Sequence, residues 1–148
     1  MTLNKDTQII RWGVIISSFF IVALILWNTY DFFLKFKGEE RSKMEVLAKV
    51  YERYSTNTNL NADFSLEDQI IGNNNNIPMI ITNEKDSITV WSNLDPDEAN
   101  NQKYLQRQLA VMKDQNKPIV VSYMSSNENI TLNIYYRDSD LLTKLKYY

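Results

Sequence analysis

An uncharged, apolar run near the N-terminus constrains this chain more than any other feature. Nineteen consecutive residues, 12–30, carry no charge and read WGVIISSFFIVALILWNTY. As an α-helix they would be about 28 Å long, which matches the ~30 Å hydrocarbon core of a bilayer. Trp12 stands at one end, and Trp27 and Tyr30 stand at the other. Because amphipathic rings favour the headgroup level, the run predicts a transmembrane helix with these three residues at the membrane interfaces.

Two other interpretations of the run fit less well. A signal peptide has a shorter apolar core and a small-residue cleavage site, whereas WNTYDFFLKF follows the run here. A buried core helix would need more surrounding chain than 148 residues supply. We therefore expect residues 1–11 to form a head on one side of the membrane, on the cytoplasmic side in the topology preferred below.

The distribution of cations gives a first indication of orientation. Two cations precede the span and four follow it closely: Lys5 and Arg11, then Lys35, Lys37, Arg41 and Lys43. The positive-inside rule assigns the more cationic side to the cytoplasm. By this count alone, the long C-terminal part would be cytoplasmic.

The segment after the span, residues 31–55, has the pattern of an amphipathic helix. Apolar side chains recur at steps of three and four residues: Met44, Leu47, Val50, Tyr51 and Tyr54. No proline interrupts the segment, so it is expected to continue the membrane helix. The stripe fits two roles, a rod that carries movement between membrane and domain, or a helix packed on its own domain.

Residues 56–148 predict a small α+β domain. β-rich runs lie at 77–82, 87–91, 118–124 and 130–136, and they are joined in pairs by short polar turns. Short helices are expected after Ser65, ending at Gly72, and after Asp138 or Ser139, and a longer helix is expected over 96–115 with Pro96 in its first position. The pattern predicts an antiparallel sheet with helices on one face.

The composition excludes several classes of chemistry. The chain has no Cys and no His, which excludes a disulfide, a thiolate zinc site, a Ser-His-Asp triad and a phosphohistidine on these residues. Three scattered glycines cannot form a nucleotide-phosphate loop. Asp138 and Asp140 flank a helix start, where acidic residues are ordinarily caps. We expect no catalytic residue and no cofactor.

Neither a metal site nor a nucleic-acid site is expected. Asp95, Asp97 and Glu98 begin like a calcium loop, but Ala99 and Asn100 occupy the positions that need an oxygen ligand and a glycine. The net charge of −2 lacks the basic excess of a nucleic-acid binder.

Three phrases of the chain resemble the N-terminal part of Bacteroidetes-type bacterial sensor histidine kinases. They are KFKGEERSKMEVLAKVYE after the first span, IPMIITNEKDSITVWSNL, and the closing IYYRDSDLLTKLKYY. The resemblance runs from about Arg11 to Tyr148. It implies an extracytoplasmic sensor domain of PAS or Cache type, anchored in the inner membrane. The family places this domain before a second span, a phosphoacceptor region and an ATP-binding domain.

The resemblance carries further expectations. No position here corresponds to the family's second span, phosphoacceptor histidine or ATP-binding motifs, so the chain is expected to be a truncated input region. A response regulator would be reached only through the missing kinase core. We follow the family topology, with residues 31–148 extracytoplasmic, over the charge count. The family also implies a homodimer, expected along the stripe at 31–54.

A ligand pocket is expected between the sheet and the helix at 96–115, for an unknown small molecule or envelope ligand. Its candidate lining residues are Met79, Ile81, Trp91, Tyr104, Val121 and Tyr123, which could equally fill an ordinary core. Two other functions remain open. The chain could be a stand-alone anchored binding module, or a pilin-like structural subunit, although no prepilin cleavage site precedes the run.

Overall fold

The structure is a computed structural model that describes residues 3–56, 65–125 and 127–147. The chain divides into two compact units, Met1–Phe36 and Lys37–Tyr148. The boundary lies inside the first helix, α1, which covers Leu3–Thr56. The amphipathic helix predicted over 31–55 thus ends at Thr56, and residues 57–64 lie outside the described part.

The first unit is an exposed apolar helix. Its large apolar side chains are mostly exposed, among them Ile9, Phe19 and Leu34. By length and composition, this part of α1 could cross a membrane. Trp12, Trp27 and Tyr30 are among the exposed residues, at the two ends of the uncharged run.

The second unit is built on a four-stranded antiparallel sheet. The strands are β1 (Met79–Asn83), β2 (Ile88–Ser92), β3 (Ile119–Ser125) and β4 (Glu128–Tyr136), in the order β2-β1-β4-β3. All three pairings are antiparallel, as the alternating sequence pattern predicts. The β1–β2 turn is held by the Asn83 side chain, whose oxygen accepts from the backbone N–H groups of Lys85 and Ser87, each at 2.9 Å.

Three helices accompany the sheet: α2 (Ser65–Gly72), α3 (Gln102–Gln115) and α4 (Asp140–Tyr147). The helix predicted over 96–115 begins later than expected. The backbone carbonyl of Asp95 accepts hydrogen bonds from the N–H groups of Glu98 and Ala99 and so closes a turn. Asn101 is the true N-cap, because its side chain accepts from the Lys103 N–H at 3.0 Å.

Helices cover both faces of the sheet, whereas the sequence pattern predicts one covered face. On one face α1 contributes Met44, Leu47 and Ala48, which pack against Ile81, Ile134 and neighbouring strand residues. On the other face, the α3 residues Leu109 and Met112 form a cluster with Ile80, Leu94 and Tyr135. Alternation along the strands explains both clusters, because successive side chains point to opposite faces.

The apolar stripe of α1 is therefore part of this domain's own core. Met44, Leu47 and Val50 are buried, and Tyr51 packs partly buried against the same cluster. Of the two roles considered for the stripe, packing on its own domain is the one observed. A dimer contact along the stripe does not fit this packing, since the sheet already covers these side chains.

Candidate functional site

The predicted pocket residues divide between the two faces of the sheet. Met79, Ile81 and Val121 are buried in the cluster that faces α1, and Tyr123 packs partly buried against that cluster. They therefore point away from α3. The prediction that they line a pocket against the helix at 96–115 is wrong, because β1 directs Ile80, and not its neighbours on either side, toward α3.

The other two predicted residues lie on the α3 side. Tyr104 packs partly buried against the α3-facing cluster, and its hydroxyl accepts from the Asp95 N–H at 3.4 Å. Trp91 is paired with Ile80, so it shares the α3-facing side of the sheet, and it remains 39% exposed. The six residues therefore do not line a common pocket.

A network of polar contacts lies in the second unit where α1, the end of α3 and the start of α4 meet. We call it the polar junction. It consists of Lys37, Glu40 and Arg41 from α1, of Gln115 at the end of α3 with Asn116 and Lys117 after it, and of Tyr136 at the end of β4 with Asp138 and Ser139 before α4.

The centre of the polar junction is the pair formed by Glu40 and Ser139. Glu40 is only 8% exposed and Ser139 is 1% exposed. The Glu40 carboxylate accepts from the Ser139 backbone N–H at 3.2 Å and also from the Ser139 hydroxyl. The serine oxygen in turn accepts from the Leu142 N–H at 3.4 Å, so Ser139, one of the two predicted caps, is the N-cap of α4. A buried carboxylate of α1 is thus bound to the first turn of α4.

Arg41 forms the second link of the junction. Its Nη1 donates to the Lys117 carbonyl at 2.8 Å and to the Tyr136 hydroxyl at 3.5 Å, while its Nε contacts Glu45 at 3.2 Å. The Tyr136 hydroxyl raises the pKa of Arg41 by its hydrogen bond. Burial raises the pKa of Tyr136, and the hydrogen bond from Arg41 partly opposes this effect. Both groups therefore keep their neutral-pH protonation states, cationic arginine and neutral tyrosine.

The third link joins the loops that flank β3 and α4. Asn116 donates to the Tyr136 carbonyl at 3.3 Å and to the Asp138 carboxylate at 3.1 Å. The Asp138 N–H donates to the Gln115 side-chain oxygen at 2.9 Å, and Lys37 lies 3.6 Å from the Asp138 carboxylate. These contacts fix the start of α4 to the end of α3 as well as to α1.

The arrangement is suited to mechanical coupling. The contacts between α1, the end of α3 and the start of α4 join residues distant in sequence, from 20 positions for Asn116 and Tyr136 to 99 for Glu40 and Ser139. Bonds to buried, charged groups are sensitive to distance and direction. A small displacement of α1 against the sheet would therefore break several of them together.

Sequence reasoning missed most of this site. Ser139 was a predicted cap, but Glu40 and Arg41 stand in a charged run, KGEERSK, that reads as a solvated helix face. A periodic signal was available, because Glu40 lies four residues before Met44 and seven before Leu47 and therefore shares their helix face. A carboxylate at the end of an apolar stripe indicates a buried partner.

A cavity of about 510 Å³ lies beside the same helix face. Met44 and Leu47 line one side, and Ile70 with Asn73 and Asn74 lines the other. Ser42 and Lys43 also line it, so the lining combines apolar surface with amide side chains, a hydroxyl and an ammonium group. This cavity, on the α1 side of the domain, differs from the pocket expected from the sequence.

The chain was also compared with known proteins. Protein-family models, curated proteins and solved structures gave no match. The assignment of a function to the polar junction therefore depends on its geometry, on the apolar run of α1 and on the resemblance of the sequence phrases.

Proposed function

We propose that this chain is the membrane-anchored sensory input region of a two-component histidine kinase, with a PAS/Cache-like domain as its sensor. The observation that carries the proposal is the buried pair of Glu40 and Ser139. It binds α1, the helix that contains the apolar run, to α4 at the far end of the domain sequence. The chain would contribute no catalysis, and a kinase core would phosphorylate the response regulator.

The input would act on α1 through its packing. Met44 lies one helical turn after Glu40 and lines both the core and the 510 Å³ cavity. A ligand in the cavity would press on the same helix face that holds the junction. Its chemistry would be an apolar body, for Met44 and Leu47, with a polar or anionic group for the asparagine amides and Lys43.

The output would be a shift between two states of the junction. In one state Glu40 binds Ser139, and in the other α1 and α4 separate at this point. A ligand or a membrane stress changes the populations only if it favours one state. Because α1 is one helix from Leu3 to Thr56, a shift at Glu40 is expected to displace the preceding apolar residues too.

A distance measurement across the junction tests this function. The chain has no Cys, so Glu39→Cys with Leu141→Cys introduces two exposed label sites on α1 and α4. We expect spin labels to show one main distance in nanodiscs and a second, longer population in bilayers of shorter lipids. Hydrophobic mismatch acts on the apolar run in such bilayers. The proposal is wrong if bilayer thickness leaves the distances unchanged while Ser139→Ala alters them.

A matched pair of serine variants controls this measurement. Ser139→Ala removes the hydroxyl that binds Glu40, and it is expected to enrich the longer population. Ser87→Ala changes an exposed serine in the β1–β2 turn region and is expected to leave the distances unchanged. Equal effects of the two variants would mean that the distances report general loosening.

The proposed location is the inner membrane, with residues 31–148 on the extracytoplasmic side. Lys85→Cys provides a unique thiol in an exposed turn. A membrane-impermeant maleimide is expected to label it in intact spheroplasts. Labelling only after lysis would place the domain in the cytoplasm. The proposed kinase core is tested separately, by reading the DNA beyond the Tyr148 codon for a second apolar span and a histidine-bearing helix.

A further inference from the structure

A second cavity, of about 260 Å³, lies where the α2–β1 loop, the end of β2 and the start of α4 meet. We call it the loop cavity. Unlike the cavity beside Met44 and Leu47, it is lined mainly by polar side chains. A water molecule occupies about 30 Å³ in the liquid, so the loop cavity has room for roughly eight or nine atoms of that size. Its polar lining residues are Asn75, Asn76, Asn93, Arg137, Ser139 and Asp140.

Arg137 is the cation of this lining, and its side chain is incompletely partnered. The residue is partly buried, and its backbone N–H donates to the Pro78 carbonyl at 3.1 Å. Its Nε is shielded from solvent and has no hydrogen-bond acceptor among the described residues. The adjacent Asp138 does not serve it, because that carboxylate accepts from Asn116 and lies 3.6 Å from Lys37. Buried polar groups are ordinarily paired, and an unpaired one indicates a ligand, an ion or an ordered water.

The lining also contains one carboxylate, that of Asp140, which is the exposed first residue of α4. Within the part of the chain that the structure describes, Asp140 and Arg137 form no ion pair with each other or with a third residue. Asn75 and Asn76 add exposed amides, which both donate and accept hydrogen bonds. The loop cavity therefore presents a cation and an anion that do not neutralise each other, with amides beside them.

This combination of charges defines a complementary ligand. A guanidinium holds its N–H donors in a planar fork that matches the two oxygens of a carboxylate. A carboxylate such as that of Asp140 accepts hydrogen bonds from hydroxyl or ammonium groups and repels a second anion. A molecule with one carboxylate and one donor group satisfies both residues, whereas a dianion satisfies only Arg137.

We propose that the loop cavity binds a small monocarboxylate that also carries a hydroxyl or an ammonium group. Its carboxylate accepts from the Arg137 guanidinium, which rotates toward the cavity so that Nε gains an acceptor. Its donor group binds Asp140, and the amides of Asn75 and Asn76 supply further hydrogen bonds. The site shares only Asn76 with the lining of the 510 Å³ cavity. It depends neither on the kinase assignment nor on the switch proposed for the junction.

Thermal unfolding of the full chain in detergent micelles tests the site with defined probes. The probes are lactate, alanine, propionate and succinate, and sodium chloride at equal ionic strength is the reference. At about 20 mM, a probe that binds the folded state with a Kd of about 5 mM raises the folded-to-unfolded ratio about fivefold. This ratio corresponds to a rise in Tm of about 4 °C. We expect such a rise with lactate or alanine, and the larger of the two identifies the donor group. Propionate and succinate should raise the Tm by less than ~1 °C.

Variants of Arg137 locate the binding. Each variant is compared with its own Tm in the chloride reference, so a change in stability does not mask the result. Arg137→Gln is expected to abolish the rise in Tm. Arg137→Lys keeps the charge but loses the planar fork, and it should retain only part of the rise. Arg107→Gln is the matched control, because Arg107 is an exposed residue of α3 that lies 3.9 Å from Glu98, and it should keep the full rise.

Variants of the other lining residues test the remaining contacts. Asp140→Asn removes the anion and should narrow the difference between lactate and propionate. Asn75→Asp adds a second carboxylate to the lining and should reduce the rise, whereas Asn100→Asp, at an exposed position outside the lining, should not. The inference is overturned if neither lactate nor alanine raises the Tm of the wild type, if Arg137→Gln keeps the rise, or if propionate and succinate match lactate.

Discussion

The buried pair of Glu40 and Ser139 allows a quantitative prediction about the polar junction. Ser139→Ala removes the hydroxyl that donates to the Glu40 carboxylate and the oxygen that caps α4. A hydrogen bond to a charged group contributes about 1.5–3 kcal/mol. The capping bond to Leu142 is long, at 3.4 Å, so it adds about 0.5 kcal/mol, the lower limit for caps. We expect the free energy of unfolding to fall by about 2–3.5 kcal/mol.

The coupling between the two residues isolates the contact itself. Glu40→Ala also leaves the Ser139 donors without an acceptor, at a cost of about 1–3 kcal/mol. If the two residues bind each other as described, the double variant costs less than the sum of the two single variants. The difference is expected to be about 1.5 kcal/mol or more, within the range for groups in contact.

Urea unfolding of the full chain in detergent micelles measures these energies. Trp91 belongs to the sheet and is 39% exposed, so its fluorescence is expected to change when the sheet unfolds. Trp12→Phe with Trp27→Phe removes the other two fluorophores from the background. Glu39→Ala with Ser87→Ala, two exposed positions, forms the control cycle. A coupling below about 0.5 kcal/mol would refute the junction, because that is the additivity expected of independent sites.

Three further predictions concern the core, α3 and the response to pH. Leu47→Ala is expected to destabilise the domain by about 2–5 kcal/mol in the same urea assay. Val46→Ala, on the exposed side of α1, should lower the free energy of unfolding by less than ~1 kcal/mol. Equal losses would contradict the packing of α1 on the sheet. Asn101→Ala should lower the free energy of unfolding by about 1 kcal/mol, because α3 loses its cap. Asn101→Asp should retain most of the stabilisation that the cap provides. An alanine variant with unchanged stability would mean that α3 begins elsewhere. Because burial raises the pKa of Tyr136 above its ordinary value of about 10, its contribution to stability is complete below pH ~10 and is lost as the pH rises through the folded-state pKa. Melting temperatures from pH 8 to 11 should therefore fall less steeply in Tyr136→Phe than in the wild type. Parallel curves would mean that the titration of Tyr136 does not contribute to the loss of stability.

The strands were predictable to within one or two residues because their pattern is local. Alternation in ITLNIYY predicts a strand at 130–136, and β4 covers Glu128–Tyr136. The helix over 96–115 was less predictable. Asp95 and Pro96 have the composition of a helix start, yet they close a turn and Asn101 caps the helix. Both sites have suitable capping residues, and the local sequence alone does not choose between them.

The candidate site was less predictable than the fold. Met79 and Ile81 were expected to face α3, but they pack against α1. Alternation shows that neighbours on a strand face opposite ways, and it does not show which helix covers which face. The burial of Glu40 was likewise not predictable from the charged run around it, because its partner Ser139 lies 99 positions away.

The sequence by itself determined the features that depend on neighbouring residues. These are the apolar run at 12–30, the unbroken helix after it and the antiparallel hairpins. The tertiary structure decided that α1 and α3 cover opposite faces of the sheet, that Glu40 is buried against Ser139, and that β3 is left at an edge. The physical reason is that periodicity and capping act over a few residues. Burial and hydrogen bonding between distant segments arise only when the whole domain packs.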